Sequence, residues 1–124
     1  MSEKHQKKVV VLGASSNPSR YSNRAVKRLV DHGHEVVAIG RTAGKIHGVE
    51  ILTGKPEIDG VDTVTVYLNP KVQELFKDYI KSLNAKRVIF NPGAEHEIFQ
   101  KELLKAGSEP IEACTLVMLS TGSF

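Results

Sequence analysis

Lys8-Val-Val-Val-Leu12 runs directly into Gly13-Ala14-Ser15-Ser16-Asn17-Pro18-Ser19-Arg20-Tyr21-Ser22. An apolar run without alternation suits a strand covered on both faces, and the glycine that ends it permits a tight turn. Beyond the turn, Ala25, Val26, Leu29 and Val30 fall at helical spacing, and Gly33 is placed to close that helix in the left-handed conformation. A strand, a glycine turn and a helix make the opening unit of a parallel α/β sheet, because parallel neighbours need crossover connections.

The chain repeats this unit. Glu35-Val-Val-Ala-Ile39 stops at Gly40, Val64-Thr-Val-Tyr-Leu68 at Asn69-Pro70, and Arg87-Val-Ile-Phe90 at Asn91-Pro92-Gly93. Val72, Leu75, Phe76, Tyr79, Ile80 and Leu83 share one helical face, with Asn69 suited as N-cap and Pro70 pre-set for the first turn. Ile98, Phe99, Leu103 and Leu104 mark a last helix closed by Gly107. The segment 42–62 holds Gly44, Gly48, Gly54, Pro56 and Gly60, which predicts a short strand at 49–52 and a single turn at 56–58 in place of a full helix. Pro110 to Ala113 reads as one more strand and Leu116 to Leu119 as a tail. Right-handed crossovers then give a single-domain α/β fold, a doubly wound, mainly parallel sheet in three layers. The expected order is 3-2-1-4-5 with the last strand outside, and ligands bind beyond the carboxyl ends of the strands. Residues 1–6 read as a polar, frayed start and 7–124 as the domain.

Composition narrows the function. With 124 residues, 40% hydrophobic and 25% charged, the chain can bury one core. Its net charge of +3 is matched by Lys4, Lys7 and Lys8 alone, so the domain is no polycation and nucleic acid is excluded as its partner class. A single cysteine excludes a disulfide framework and suits a reducing compartment. No apolar run approaches the roughly 18 residues of a membrane span. A cytoplasmic protein without a membrane partner is expected.

Laid on the dinucleotide pattern Gly-x-Gly-x-x-Gly, the first loop reads Gly13-x-Ser15-x-x-Pro18. Ser15 and Pro18 depart from the glycines that pattern uses for close pyrophosphate approach and tight helix packing. Pro18 also disfavours helical geometry at Asn17, so the helix should begin later, capped by Ser22. The wider loop is rich in N–H and hydroxyl donors and leads into a positive helix end, a combination that can cradle phosphate. After the second strand, NAD sites place an acid to receive the ribose 2′-hydroxyl, whereas this chain has Gly40-Arg41, with Lys45 four residues on. Guanidinium only donates, so Arg41 suits a phosphate on the ribose, as in NADP or coenzyme A.

The stretch from Gly13 to Ser22, followed by Val26, Leu29 and Gly33, resembles the small stand-alone CoA-binding proteins, whose fold is similar to the CoA-binding domain of the succinyl-CoA synthetase alpha subunit. Gly48, Val61-Asp62, Gly93 and Cys114 extend the resemblance over Lys8 to Met118. It implies a Rossmann-like fold in which Gly13, Ala14, Ser15, Ser16, Pro18, Arg20 and Ser22 form the phosphate loop. Gly40, Arg41 and Lys45 would serve the nucleotide end, and Leu68, Asn69, Pro70, Asn91 and Gly93 the rest of the ligand. Relatives often carry Asn-Pro where this chain has Gly40-Arg41, a basic residue near Leu68 and a Gln near Asn91; Glu112-Ala113 stands where an acidic–basic pair usually precedes the cysteine.

No catalytic constellation emerges. Cys114 lies in an apolar stretch with no adjacent His and reads as a buried, inert thiol. Glu95-His96-Glu97 lacks the i, i+4 spacing of a helical metal site, and His32, His34 and His47 read as solvated. The expected function is non-catalytic binding of CoA or a short acyl-CoA, as carrier, sensor or partner module. The alternatives are an NADP-binding enzyme or redox sensor, and a protein-interaction domain with a vestigial crevice. A protein partner or a second copy of the chain fits any of these.

Overall fold

The computed structural model describes residues 6–124; the expected frayed start lies, apart from Gln6, outside them. The strands are β1 (Lys8–Leu12), β2 (Glu35–Ile39), β3 (Gly44–Ile46), β4 (Val49–Leu52), β5 (Thr63–Val66), β6 (Arg87–Phe90) and β7 (Glu109–Glu112). The helices are α1 (Tyr21–Asp31), α2 (Pro70–Gln73), α3 (Lys77–Ser82), α4 (Glu97–Ala106) and α5 (Thr115–Thr121). The sheet order is β3-β4-β2-β1-β5-β6-β7, parallel throughout except for the β3–β4 pair. Without β3 this is the expected winding. It reverses at β1, between β2 and β5, and opens a crevice at their carboxyl ends.

Strand residues alternate between two cores. Val10, Leu12, Val64, Val66, Val88 and Phe90 meet Tyr79, Ile80, Phe99 and Leu103 on one face. Val9, Val11, Ala38 and Ile51 meet Val26, Leu29 and Leu119 on the other. Phe90 and Phe99 meet edge to face at 6.0 Å, a favoured aromatic geometry. Both faces are covered, so β1 carries no polar alternation and β5 buries all four of its residues, its two threonines included.

Four expectations are corrected. The segment after β2 adds an unforeseen strand, β3, in a two-residue hairpin whose turn residues His47 and Gly48 both have positive φ (51° and 85°). That is the turn whose twist suits a hairpin, here with His where Asn is usual. Residues 56–58 form no turn of helix. They have no regular structure and are held by the Tyr79 hydroxyl, which donates to the Pro56 carbonyl at 2.6 Å, and by Ile58 against the core.

The helix expected over Val72–Leu83 is broken. Gln73 is fully buried and its amide donates to the carbonyls of Leu68 (2.8 Å) and Ala94 (2.6 Å). Those bonds fix α2, and the chain restarts at Phe76, leaving Leu75 70% exposed where periodicity placed it inside. The expected tail is α5. Thr115 is buried at its head, and Gly122 closes it in the left-handed conformation.

Candidate functional site

The cleft starts at the turn after β1. Gly13 (φ 99°) and Ala14 both donate their N–H to the Ile39 carbonyl at 2.9 Å, so the loop leaves β1 bound to the end of β2. Gly40 lies against that loop, and a β-carbon there would strike the Ala14 carbonyl oxygen. The loop then folds on itself. Asn17 N–H donates to Ser15 Oγ (3.1 Å), Ser19 N–H and Oγ–H both donate to Asn17 Oδ1 (3.0 and 2.8 Å), and Arg20 N–H donates to the Asn17 carbonyl (3.0 Å). From α1, buried Asn23 donates to the Ser15 carbonyl at 2.9 Å.

What remains is a set of free donors. The N–H groups of Ser15, Ser16, Tyr21 and Ser22 meet no acceptor among the described residues. Tyr21 and Ser22 open α1, where the first N–H groups have no helical partner and the helix dipole is positive. Arg20 is the N-cap residue and makes no side-chain cap, so Ser22 is not the cap expected but lies within the first turn. A Pro at 18 and a helix starting three residues later produce a loop wide enough to leave these donors unpaired.

The resulting cleft has a volume of about 860 Å³, within the roughly 300–1,000 Å³ of ligand sites. It brings together Gly13, Ala14, Ser15, Ser16, Arg20 and Ser22 with Gly40 and Arg41 from the end of β2, and Leu68 and Asn69 from the end of β5. Asn69 caps α2 by accepting from Val72 N–H at 2.9 Å. The remaining candidates lie outside the lining. Pro18 is exposed and Pro70 opens α2. Lys45 sits exposed on the edge strand β3, paired in register with Glu50.

Asn91 is 1% exposed and its amide is used by the fold. Nδ2 donates to Thr65 Oγ1 (2.7 Å) and the Val66 carbonyl (2.9 Å), while Oδ1 accepts from Thr115 N–H (2.9 Å). Gly93 donates its N–H to Glu95 at 2.9 Å, and Pro92 lines the cleft in its place.

Residues that the sequence reading left out complete the walls. Tyr21, Val72, Phe76 and Pro92 form an apolar side, while Asn17, Thr42 and Gly54 add to the polar side. Tyr67 also lines the cleft. Burial pushes its phenol up to about 12, and nearby Cys114 acts in the same direction. Its hydroxyl lies beside Thr65 and Thr115, whose own hydroxyls bond each other at 2.7 Å and which oppose the shift. Of these, Tyr21 and Asn17 stood inside the quoted motif; Val72 and Phe76 were hidden in a helix periodicity that read as core.

The other polar candidates lie elsewhere. Cys114 is half-buried at the head of α5, not sealed in the core. His96 caps α4 by accepting from Phe99 N–H through Nδ1 (3.2 Å), which leaves Nε2–H to donate to Glu74 (2.6 Å). His96 and Lys77 together hold the Glu74 carboxyl below its usual range. His32 and His47 are exposed, His47 against Asp31 at 2.9 Å. His34 is half-buried against Phe124, a departure from the solvated expectation. Burial and the charge of Lys7 lower its pKa.

The family model of the CoA binding domain matches residues 7–120. The chain belongs to that family. A crystal structure of an uncharacterised protein is 49% identical with a TM-score of 0.94, over 96% of this chain and 98% of that one. The uncharacterised protein YneT of Bacillus subtilis (strain 168) is 34% identical over 62 residues, 49% of this chain and 46% of YneT, so the match spans under half of that relative. A dinucleotide-forming acetyl-coenzyme A synthetase from Candidatus Korarchaeum cryptofilum shares the fold at 18% identity and a TM-score of 0.69, over 86% of this chain and 25% of that one. No helix among the described residues is long and apolar enough to cross a membrane.

Proposed function

We propose that the cleft binds CoA or a short acyl-CoA without transforming it, so that the protein acts as a carrier, sensor or partner module. The observation that carries this reading is the set of four unpaired N–H groups, at Ser15, Ser16, Tyr21 and Ser22, grouped at the positive end of an eleven-residue helix. Unpaired N–H groups at a helix start form an anion site, and the hydroxyls of Ser15, Ser16 and Ser22 can add donors. A pyrophosphate there is consistent with Arg20 beside the helix start. Arg41, at the end of β2, suits the phosphorylated ribose through paired N–H donors.

Leu68, Val72, Phe76 and Pro92 offer an apolar path for a pantetheine arm on the side away from Arg41's strand. Family membership supports the same ligand class. CoA supplies a thiol or thioester at the far end of such an arm; the residues named here bind and orient it.

Titration calorimetry with CoA tests the reading. Saturable one-to-one binding is expected, with affinity falling about tenfold or more in Arg41→Met, because hydrogen bonds involving charge contribute about 1.5–3 kcal/mol. No heat and no thermal stabilisation by CoA would remove the assignment.

A further inference from the structure

We infer that Asn23 is a positioning residue of the anion cradle: without touching the ligand, it holds the Ser15–Ser16 peptide in the orientation that offers the Ser16 N–H to a phosphoryl group. The inference rests on the CoA reading above.

Asn23 is the third residue of α1, 2% exposed, and it does not line the cleft. Its amide is only half used. Nδ2 donates to the Ser15 carbonyl at 2.9 Å, whereas Oδ1 is buried with no hydrogen-bond partner among the described residues. An unpaired buried acceptor lowers stability, so an apolar side chain of similar size would serve the interior as well or better. Asn91 shows a buried amide spent on the fold, with Nδ2 and Oδ1 both bonded. Asn23 has a single side-chain bond, and it runs to the loop that supplies the donors. What that bond does to the loop explains an asparagine at this place.

A trans peptide is planar, with its C=O and N–H pointing in opposite directions. Tying the Ser15 carbonyl to α1 therefore turns the Ser16 N–H away from Asn23, to a side where it meets no acceptor among the described residues. The Asn23 bond is also the one hydrogen bond that the Ser15–Ser16 peptide makes among those residues. Without it the peptide is free to rotate about the single bonds on either side. A half-turn replaces the N–H by a carbonyl oxygen, which repels the phosphate oxygens that the N–H attracts. The N–H groups of Tyr21 and Ser22 are fixed by α1 itself and stay in place.

The test compares the full chain as wild type, Asn23→Leu and Asn23→Ala by thermal melting, CoA calorimetry and amide NMR. In wild type, saturating CoA should move the Ser16 and Ser22 amide protons downfield, as N–H groups move on bonding to phosphate. In Asn23→Leu the Ser22 shift should persist, the Ser16 shift should vanish, and CoA affinity should fall about tenfold or more while melting stays close to wild type. Asn23→Ala cannot overfill the site; it should show the same affinity loss and the same shifts, and it decides the matter if the leucine protein does not fold. A Ser16 shift that survives substitution overturns the inference, as does a loss of melting temperature with CoA affinity unchanged. A Ser16 amide that CoA leaves unmoved in wild type overturns it too, and in each of these cases CoA binding itself stands. If wild type binds no CoA, the CoA reading falls and the inference with it.

Discussion

Gly40→Ala tests how the cradle is held. The added β-carbon would meet the Ala14 carbonyl oxygen head-on and stand 3.1 Å from both the Ala14 carbonyl carbon and Ile51 Cγ2. Neither neighbour is a free side-chain end: Ala14 belongs to a loop bonded to the Ile39 carbonyl, and Ile51 is core. Inserting a methyl group into such a contact costs about 1–3 kcal/mol, which at this chain length lowers Tm by roughly 4–12 °C. The least costly relief is to push Ala14 outward, which moves Ser15 and Ser16, the first two donors of the cradle. Thermal melting and CoA calorimetry should therefore fall together.

Gly33→Ala provides the contrast. Gly33 has φ 85° and open space around its α-carbon, so alanine there brings backbone strain of about 1–2 kcal/mol and leaves the cleft alone. It should lower Tm and leave CoA affinity intact. A Gly40→Ala protein with wild-type melting and wild-type CoA affinity would refute the steric reasoning.

Other outcomes can be checked separately. Asn91→Leu removes three hydrogen bonds and strands the Thr115 N–H, so stability in urea should drop by about 1–3 kcal/mol while CoA affinity in the folded protein stays the same. His34 has a folded pKa below its ordinary 6.5, so the folded state takes up its proton less readily than the unfolded chain. Its contribution to stability is present above about pH 6.5 and is lost as pH falls towards the folded pKa; His34→Gln should flatten that part of a Tm-versus-pH curve. Among nucleotides, CoA should raise Tm in proportion to ln(1 + [L]/Kd) more strongly than NADPH at equal concentration; the reverse order would favour a dinucleotide site.

The parts of the fold that were legible in the sequence are those encoded in contiguous residues. Three apolar runs ending at Gly or Asn gave β1, β2 and β6, and Gly33 and Gly107 end their helices as read. The unread parts depend on contacts between distant residues. Nothing local marks Gln73 as the residue that interrupts a helix, because its partners are the carbonyls of Leu68 and Ala94. Leu116 to Leu119 is too short to show a period, and it becomes helical where Thr115 bonds to Thr65 and Asn91. The candidate site divides in the same way. Most of its polar side is the one segment from Gly13 to Ser22 and could be read directly, whereas Tyr67, Val72, Phe76 and Pro92 meet only once the chain has folded.

The shared Ile39 carbonyl has a kinetic meaning. Because Gly13 and Ala14 both bond to it, the loop after β1 is an extension of the sheet and cannot open without breaking the last rung between β1 and β2. An anion arriving there finds its donors already aligned and need not wait for a loop to order. Capture should then be governed by diffusion and by long-range attraction to Arg20 and Arg41, with an on-rate that falls as ionic strength rises.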